Sequence, residues 1–244
     1  MTGSTVLYCT LAELRAQINK QGDTKAPDTD AALTLVIRAA SRAIDKYCNR
    51  EEGWFIADTE ASARYYVGSG AAYQRIDENV EVTAVAVKDN ATDDEDSYTS
   101  WTVGTIGTTT DADVFPATGD TKRPRYGKTP YTMLVAGLNG SYSYFTSGTF
   151  TALRGFRPER DTSVGIPTVK VTAKWGYSVS VPYNVVEAAI IFSARVYKRG
   201  EGTWADAIAN PDLGTLRFAQ SLDPDMRNML SQFRIPSIGW TGGG

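Results

Sequence analysis

Thr168 to Arg199 reads TVKVTAKWGYSVSVPYNVVEAAIIFSARVYKR, and its hydrophobic period changes midway. Val169, Val171, Ala173 and Trp175 alternate with polar neighbours, the pattern of a half-buried strand. Gly176, between Trp175 and Tyr177, permits a tight turn there. Pro182 then opens a helix, since the missing N–H has no partner in a first turn. Val185, Ala188, Ala189, Phe192 and Val196 recur as the apolar stripe of that helix. Lys198 and Arg199 complement its negative end, and Gly200 is expected to stop it. A strand running directly into a helix makes this an α+β chain.

Upstream, Thr10 and Glu13 have capping-box spacing, and Leu11, Leu14 and Ile18 follow at helical intervals. The turn-rich GDTKAPDTD separates this short helix from a longer one. There Leu33, Val36, Ile37, Ala40, Ile44, Tyr47 and Cys48 share a face, and the helix ends between Asn49 and Gly53. Downstream, Asp223 and Pro224 open a fourth helix with Met226, Met229, Leu230 and Phe233 on one side. Between Trp54 and residue 181 the period is that of strands: Arg64 to Val67, Val80 to Val87, YTSWTV at 98–103, PYTMLV at 130–135 and SYSYF at 141–145. The fold expected is α+β: a discontinuous bundle of about four helices from both chain ends, residues 1–50 and 182–234. A large antiparallel β-rich module, 51–181, is inserted, and 235–244 form an extended C-terminal arm.

Composition narrows function further. The 244 residues are 42% hydrophobic and 22% charged, enough to bury a real core, and none is histidine. A Ser-His or Cys-His catalytic pair is therefore excluded. Cys9 and Cys48, the two cysteines, build neither a disulfide framework nor a thiolate zinc site, and both fall in apolar patterns read as helical. Gly127-Lys128-Thr129 imitates a phosphate loop, but Lys122 replaces the glycine needed earlier and Pro130 follows where a helix should start. The acidic run DNATDDEDS, 89–97, lacks the glycine of a calcium loop. No catalytic residue, cofactor or metal is expected. The N-terminus has no signal-peptide pattern, and the apolar runs are too short to span a bilayer, so no membrane is expected. A formal net charge of -3 argues against general attraction to phosphate.

Two basic clusters stand out, Lys122, Arg123, Arg125 and Lys128, then Arg154, Arg157 and Arg160. Both lie near Pro and Gly and read as loops for protein contact, with nucleic-acid contact as the other use, Arg123, Arg125, Arg154 and Arg157 being the candidate residues. Tyr142, Tyr144, Phe145 and Phe150 read as sheet core or subunit interface, with a sugar-stacking platform as the other use.

Taken together, YCTLAELRAQI, DAALTLVIRAASRAIDKYCNR and VTAKWGYSVSVPYNVVEAAIIFSARVYKR resemble the head-tail connector (adaptor, or head-completion) proteins of long-tailed bacteriophages. In that family a strand closes on a Trp-Gly-aromatic turn, a Val-Pro step starts a helix rich in small residues, and the helix ends in Tyr-Lys-Arg. Trp175-Gly176-Tyr177, Val181-Pro182 and Tyr197-Lys198-Arg199 reproduce this order, and Leu222-Asp223-Pro224 before the last helix is similar. The likeness covers the helical ends and the strand entering the third helix, somewhat under half of the chain. The smallest members look nearly all-helical, so the β-rich middle is a departure.

The resemblance implies a structural virion protein at the neck, assembled in the host cytoplasm. Its copies would form a ring, expected to be twelvefold, below the portal protein, extending the DNA channel and offering a platform to the tail or a stopper. DNA would be passing cargo in the lumen. Trp175, Gly176, Tyr177 and Pro182 are expected to form a structural junction. Arg234, Ile235, Ile238 and Trp240 are expected to dock on the portal or a neighbouring subunit, since Pro236 ends the helix and large apolar groups are common interface anchors. The alternatives are a carbohydrate-binding or glycan-cleaving virion component, and a neighbouring neck or tail-completion protein.

Overall fold

A computed structural model describes residues 6–20, 30–109, 111–120, 122–137, 140–148, 165–201, 207–210, 214–217 and 224–235. The chain divides into two compact units, Met1–Phe55 with Val181–Gly244, and Ile56–Ser180.

The first unit is helical. Helix α1, Leu11–Lys20, starts at the expected capping box: the Glu13 carboxylate accepts from the Thr10 N–H at 2.7 Å, and the Glu13 N–H donates to Thr10 Oγ1 at 3.2 Å. Helix α2, Asp30–Cys48, buries Leu33, Ile37, Ala40, Ile44 and Cys48 completely, the stripe the sequence marks. Helix α3, Tyr183–Glu201, begins one residue after Pro182, whose carbonyl accepts from Val185 and Val186 at 2.9 and 3.1 Å. Pro182 is thus the cap of the helix, not its first residue. Gly200 does not stop α3, which runs on to Glu201, because glycine weakens a helix without forbidding it. Helix α4, Pro224–Ser231, buries Met226 and Leu230. Helices α1, α2 and α4 all pack on α3, whose buried Val185, Ala188 and Ala189 allow close approach. Each large aliphatic side chain buried this way contributes about 1.5–3 kcal/mol.

The second unit is an antiparallel sheet of seven strands. They are β1 (Ser62–Val67), β2 (Tyr73–Val87), β3 (Thr99–Trp101), β4 (Val114–Asp120), β5 (Arg123–Tyr126), β6 (Tyr131–Ala136) and β7 (Pro167–Trp175). The order is β1-β7-β2-β6-β4-β5, with β3 on the free flank of β2. Strand β7, the alternating stretch that fixes the fold class, lies between β1 and β2 and buries Val169, Val171, Ala173 and Trp175 on one face. These join Ile76, Val85, Val87, Leu134 and Phe145 in the core.

Further details differ from the sequence reading. Ser141 to Phe145 is not a strand: Phe145 and Tyr142 reach the ring of Trp101 from a loop, Tyr142 stacked on it at 4.8 Å. An aromatic alternation marks burial on one side and does not by itself supply a partner strand. Arg123 and Arg125 lie on a strand, β5, and not in a loop. Pro124 suggests a loop, but an outer strand tolerates proline because one of its edges needs no donors. Cys9 precedes α1 at a bend and is not helical. A two-stranded hairpin, β8 (Ala207–Asn210) with β9 (Gly214–Arg217), was not foreseen in the first unit.

Candidate functional site

Trp175 is 1% exposed, and its indole N–H donates to the Ser62 carbonyl at 2.9 Å. The Arg64 guanidinium lies 4.7 Å from its ring centre, and the Tyr66 ring 6.2 Å away. All three partners are on β1, so Trp175 ties the outer strand to β7. Gly176 has φ +133°, and a Cβ there would meet the Ala57 Cα at 2.5 Å. The backbone continues the tie, the Asp58 N–H donating to the Trp175 carbonyl and the Ala57 N–H to the Ser178 carbonyl, each at 2.8 Å. Tyr177 and Pro182 are half-buried.

Of the expected arm, Ile238 and Trp240 lie outside the described residues. Its first two residues are held by their own helical unit. The Ile235 N–H donates to the Cys48 carbonyl at 3.0 Å, the Asn49 amide donates to the Ile235 carbonyl at 2.7 Å, and the Arg234 guanidinium lies over the Tyr47 ring. The α2 end has carbonyls without helical partners, and this strap satisfies one of them. Arg234 and Ile235 are therefore engaged within their own unit.

In the same unit, residues 6–9 are clasped to α2. The Tyr8 hydroxyl donates to the Asp45 carboxylate, the Tyr8 N–H to Ser41 Oγ at 3.1 Å, and Arg42 to the Val6 carbonyl at 3.0 Å. Burial pushes the Asp45 carboxyl above its usual value, against the opposing pull of Tyr8, the Gly53 N–H and Arg42. Burial likewise raises both thiols, Cys9 and Cys48, to about 11. These groups are structural and inert as nucleophiles near neutral pH.

The sheet unit carries two surfaces able to recognise something. The first is the outer strand β5, where Arg123 and Arg125 point to one side, both exposed, with exposed Lys128 just beyond. Arg154 and Arg157, the other basic candidates, lie outside the described residues. The second is a cleft of about 670 Å³ lined by Tyr65, Lys88, Asp93, Glu95, Asp96, Tyr98 and Pro167. Tyr65 comes from β1, Lys88 from the end of β2 and Pro167 from the start of β7, while the acidic run 89–97 forms its rim. The Tyr98 hydroxyl donates to the Pro167 carbonyl at 3.1 Å, which pins the far end of that rim. Lys88, although buried, holds the near end by donating to the Asp93 carbonyl at 3.2 Å. Lys88 and Lys170 lie 5.2 and 5.6 Å from the Tyr98 and Tyr65 ring centres, so both rings already carry a cation on one face. Burial, then Tyr65, Asp96 and Glu95, raises the Tyr98 hydroxyl above its usual range and keeps it neutral.

Sequence reasoning singled out the acidic run but not its tyrosine and lysine neighbours: Lys88 and Tyr98 flank the run directly, while Tyr65 and Lys170 come from strands far away in the chain. Alternation in RYYV could have flagged Tyr65 as outward-facing, since Arg64 and Tyr66 share the opposite face. Among the described residues no group of three or more His, Cys, Asp or Glu is placed to hold a metal, and no helix is long and apolar enough to cross a membrane. No family model and no curated protein matches the chain.

Proposed function

We propose that this chain is a structural virion protein, a head-to-tail adaptor whose copies form a ring under the portal of a long-tailed bacteriophage. The ring extends the DNA channel and gives the tail or a stopper its docking platform, and the chain acts by binding alone. One observation carries the reading. The three segments that resemble the connector family become α1, α2 and the β7–turn–α3 passage, and α1 and α2 pack on α3, so the helical parts of all three similar segments assemble into one unit. The Trp175-Gly176 step agrees with a packing signature: one residue is buried, and the other has no room for a side chain.

The net charge of -3 suits a conduit that should not grip DNA. Terminal residues beyond Ile235, with Ile238 and Trp240, are the proposed portal-docking arm. The test is attachment of the purified full chain to portal-bearing, tail-less heads. Attachment is expected for the full chain, and its loss is expected on deleting 236–244. A full chain that ignores such heads overturns the reading, and normal attachment by the truncated chain overturns the arm.

A further inference from the structure

The two surfaces of the sheet unit are opposite in charge and lie apart on the sheet. Strand β5 is one outer strand of the sheet and β1, which lends Tyr65 to the cleft, is the other. The acidic rim itself follows β2, three strand spacings from β5, about 14 Å along the sheet at about 4.8 Å per spacing. That exceeds a Debye length of about 8 Å at physiological salt, so the two sets of charge do not neutralise each other along one sheet. The rim presents Asp89, Asp93, Asp94, Glu95 and Asp96 against two lysines, Lys88 and Lys170. Asp94, Glu95 and Asp96 are exposed, as are Arg123, Arg125 and Lys128, and none of these six makes an ion pair among the described residues. Pro124 removes a donor from the middle of β5, which blunts strand addition at this edge and leaves recognition to the side chains.

We propose that these surfaces are the two halves of one head-to-tail interface: Arg123 and Arg125 of one copy seat against the Asp94–Asp96 rim and the Tyr65–Tyr98 cleft of the next. The occupant is a second copy because one chain carries both complementary patches in a non-self-complementary arrangement. Such a heterologous contact generates a ring when the rotation closes. Guanidinium groups suit the site, since they pair with carboxylates bidentately and stack on tyrosine. The inference rests on the ring reading above and names the work of the β-rich insertion within it.

The experiment counts copies of the full chain bound per portal-bearing head. R123E/R125E and D94K/E95K/D96K are each expected to need roughly tenfold more protein, or beyond, for half loading. The chain carrying all five substitutions restores complementarity and is expected to load like the wild type. Raising salt from 50 to about 500 mM is expected to weaken wild-type loading as well. Near-ultraviolet circular dichroism checks that each variant stays folded, all substituted side chains being exposed.

Full loading by both single-patch variants overturns the interface and leaves the adaptor reading standing, whereas a wild type that never loads overturns both. Loss in each variant without recovery in the combined chain gives the patches separate partners and overturns the proposal. So does loss in R154E/R157E with retention in R123E/R125E, which moves the basic half elsewhere.

Discussion

Trp175→Ala removes the largest fully buried side chain among the described residues. Trp175 is 1% exposed, donates to the Ser62 carbonyl at 2.9 Å and lies under the Arg64 guanidinium at 4.7 Å. Truncating a buried Trp costs about 3–5 kcal/mol through lost transfer energy and the cavity left behind. The Ser62 carbonyl also loses its indole donor. With about 3–4 °C lost per kcal/mol for a domain of this size, the transition of the sheet unit should fall by about 10–20 °C. Trp175→Phe keeps most of the apolar bulk and loses the indole N–H, so its deficit should be about 1–3 kcal/mol. Calorimetry of the full chain reads both, and the order wild type, Phe, Ala is expected. An Ala variant melting within 2 °C of the wild type would refute the argument that this ring ties β1 to β7.

Gly176→Ala places a Cβ 2.5 Å from the Ala57 Cα at a φ of +133°, so it should destabilise by about 2 kcal/mol or more, read as a lower denaturant midpoint. Native Cys9 and Cys48, with thiols raised to about 11 and both buried, should label with iodoacetamide at pH 7.5 only after denaturant is added; rapid native labelling contradicts this. Burial raises the Asp113 carboxyl, but the N–H and O–H of Thr102 and the N–H of Ser141 outweigh it and hold the group below 3.8. A depressed folded value stabilises above the unfolded pKa and is lost as pH falls through the folded one. The advantage of wild type over Asp113→Asn should therefore be full at pH 6–7 and shrink below about pH 4; an advantage constant with pH contradicts it.

What was legible in the sequence follows physical signals that act locally. Thr10 and Glu13 are three residues apart and bond to each other, and the α2 stripe and the β7 alternation each need one face buried and nothing else. The two-unit division follows from the change of period near Trp54 and its return at Pro182. Strands β4 and β5 escaped because Pro116, Gly119 and Pro124 imitate loops, and what overrides them is the pairing of β4 with β6 and of β5 with β4, at the flank of a sheet that no local pattern encodes. Tyr142 and Phe145 misled in the opposite sense, since their alternation answers to Trp101, far back in the chain, and not to a partner strand. The cleft was half legible. Its acidic rim is a contiguous run flanked by Lys88 and Tyr98, but Tyr65 and Pro167 join it through strand order alone.

The central claim, that copies of this chain form an adaptor ring at the head-tail junction, is tested most directly by electron cryomicroscopy of the neck of the virion that carries the protein. The account predicts a closed ring of this chain, twelvefold, immediately below the portal, with the helical unit and the inserted sheet both fitted in density around the DNA channel. A neck without this chain, or the chain found as single copies away from the portal axis, would contradict it.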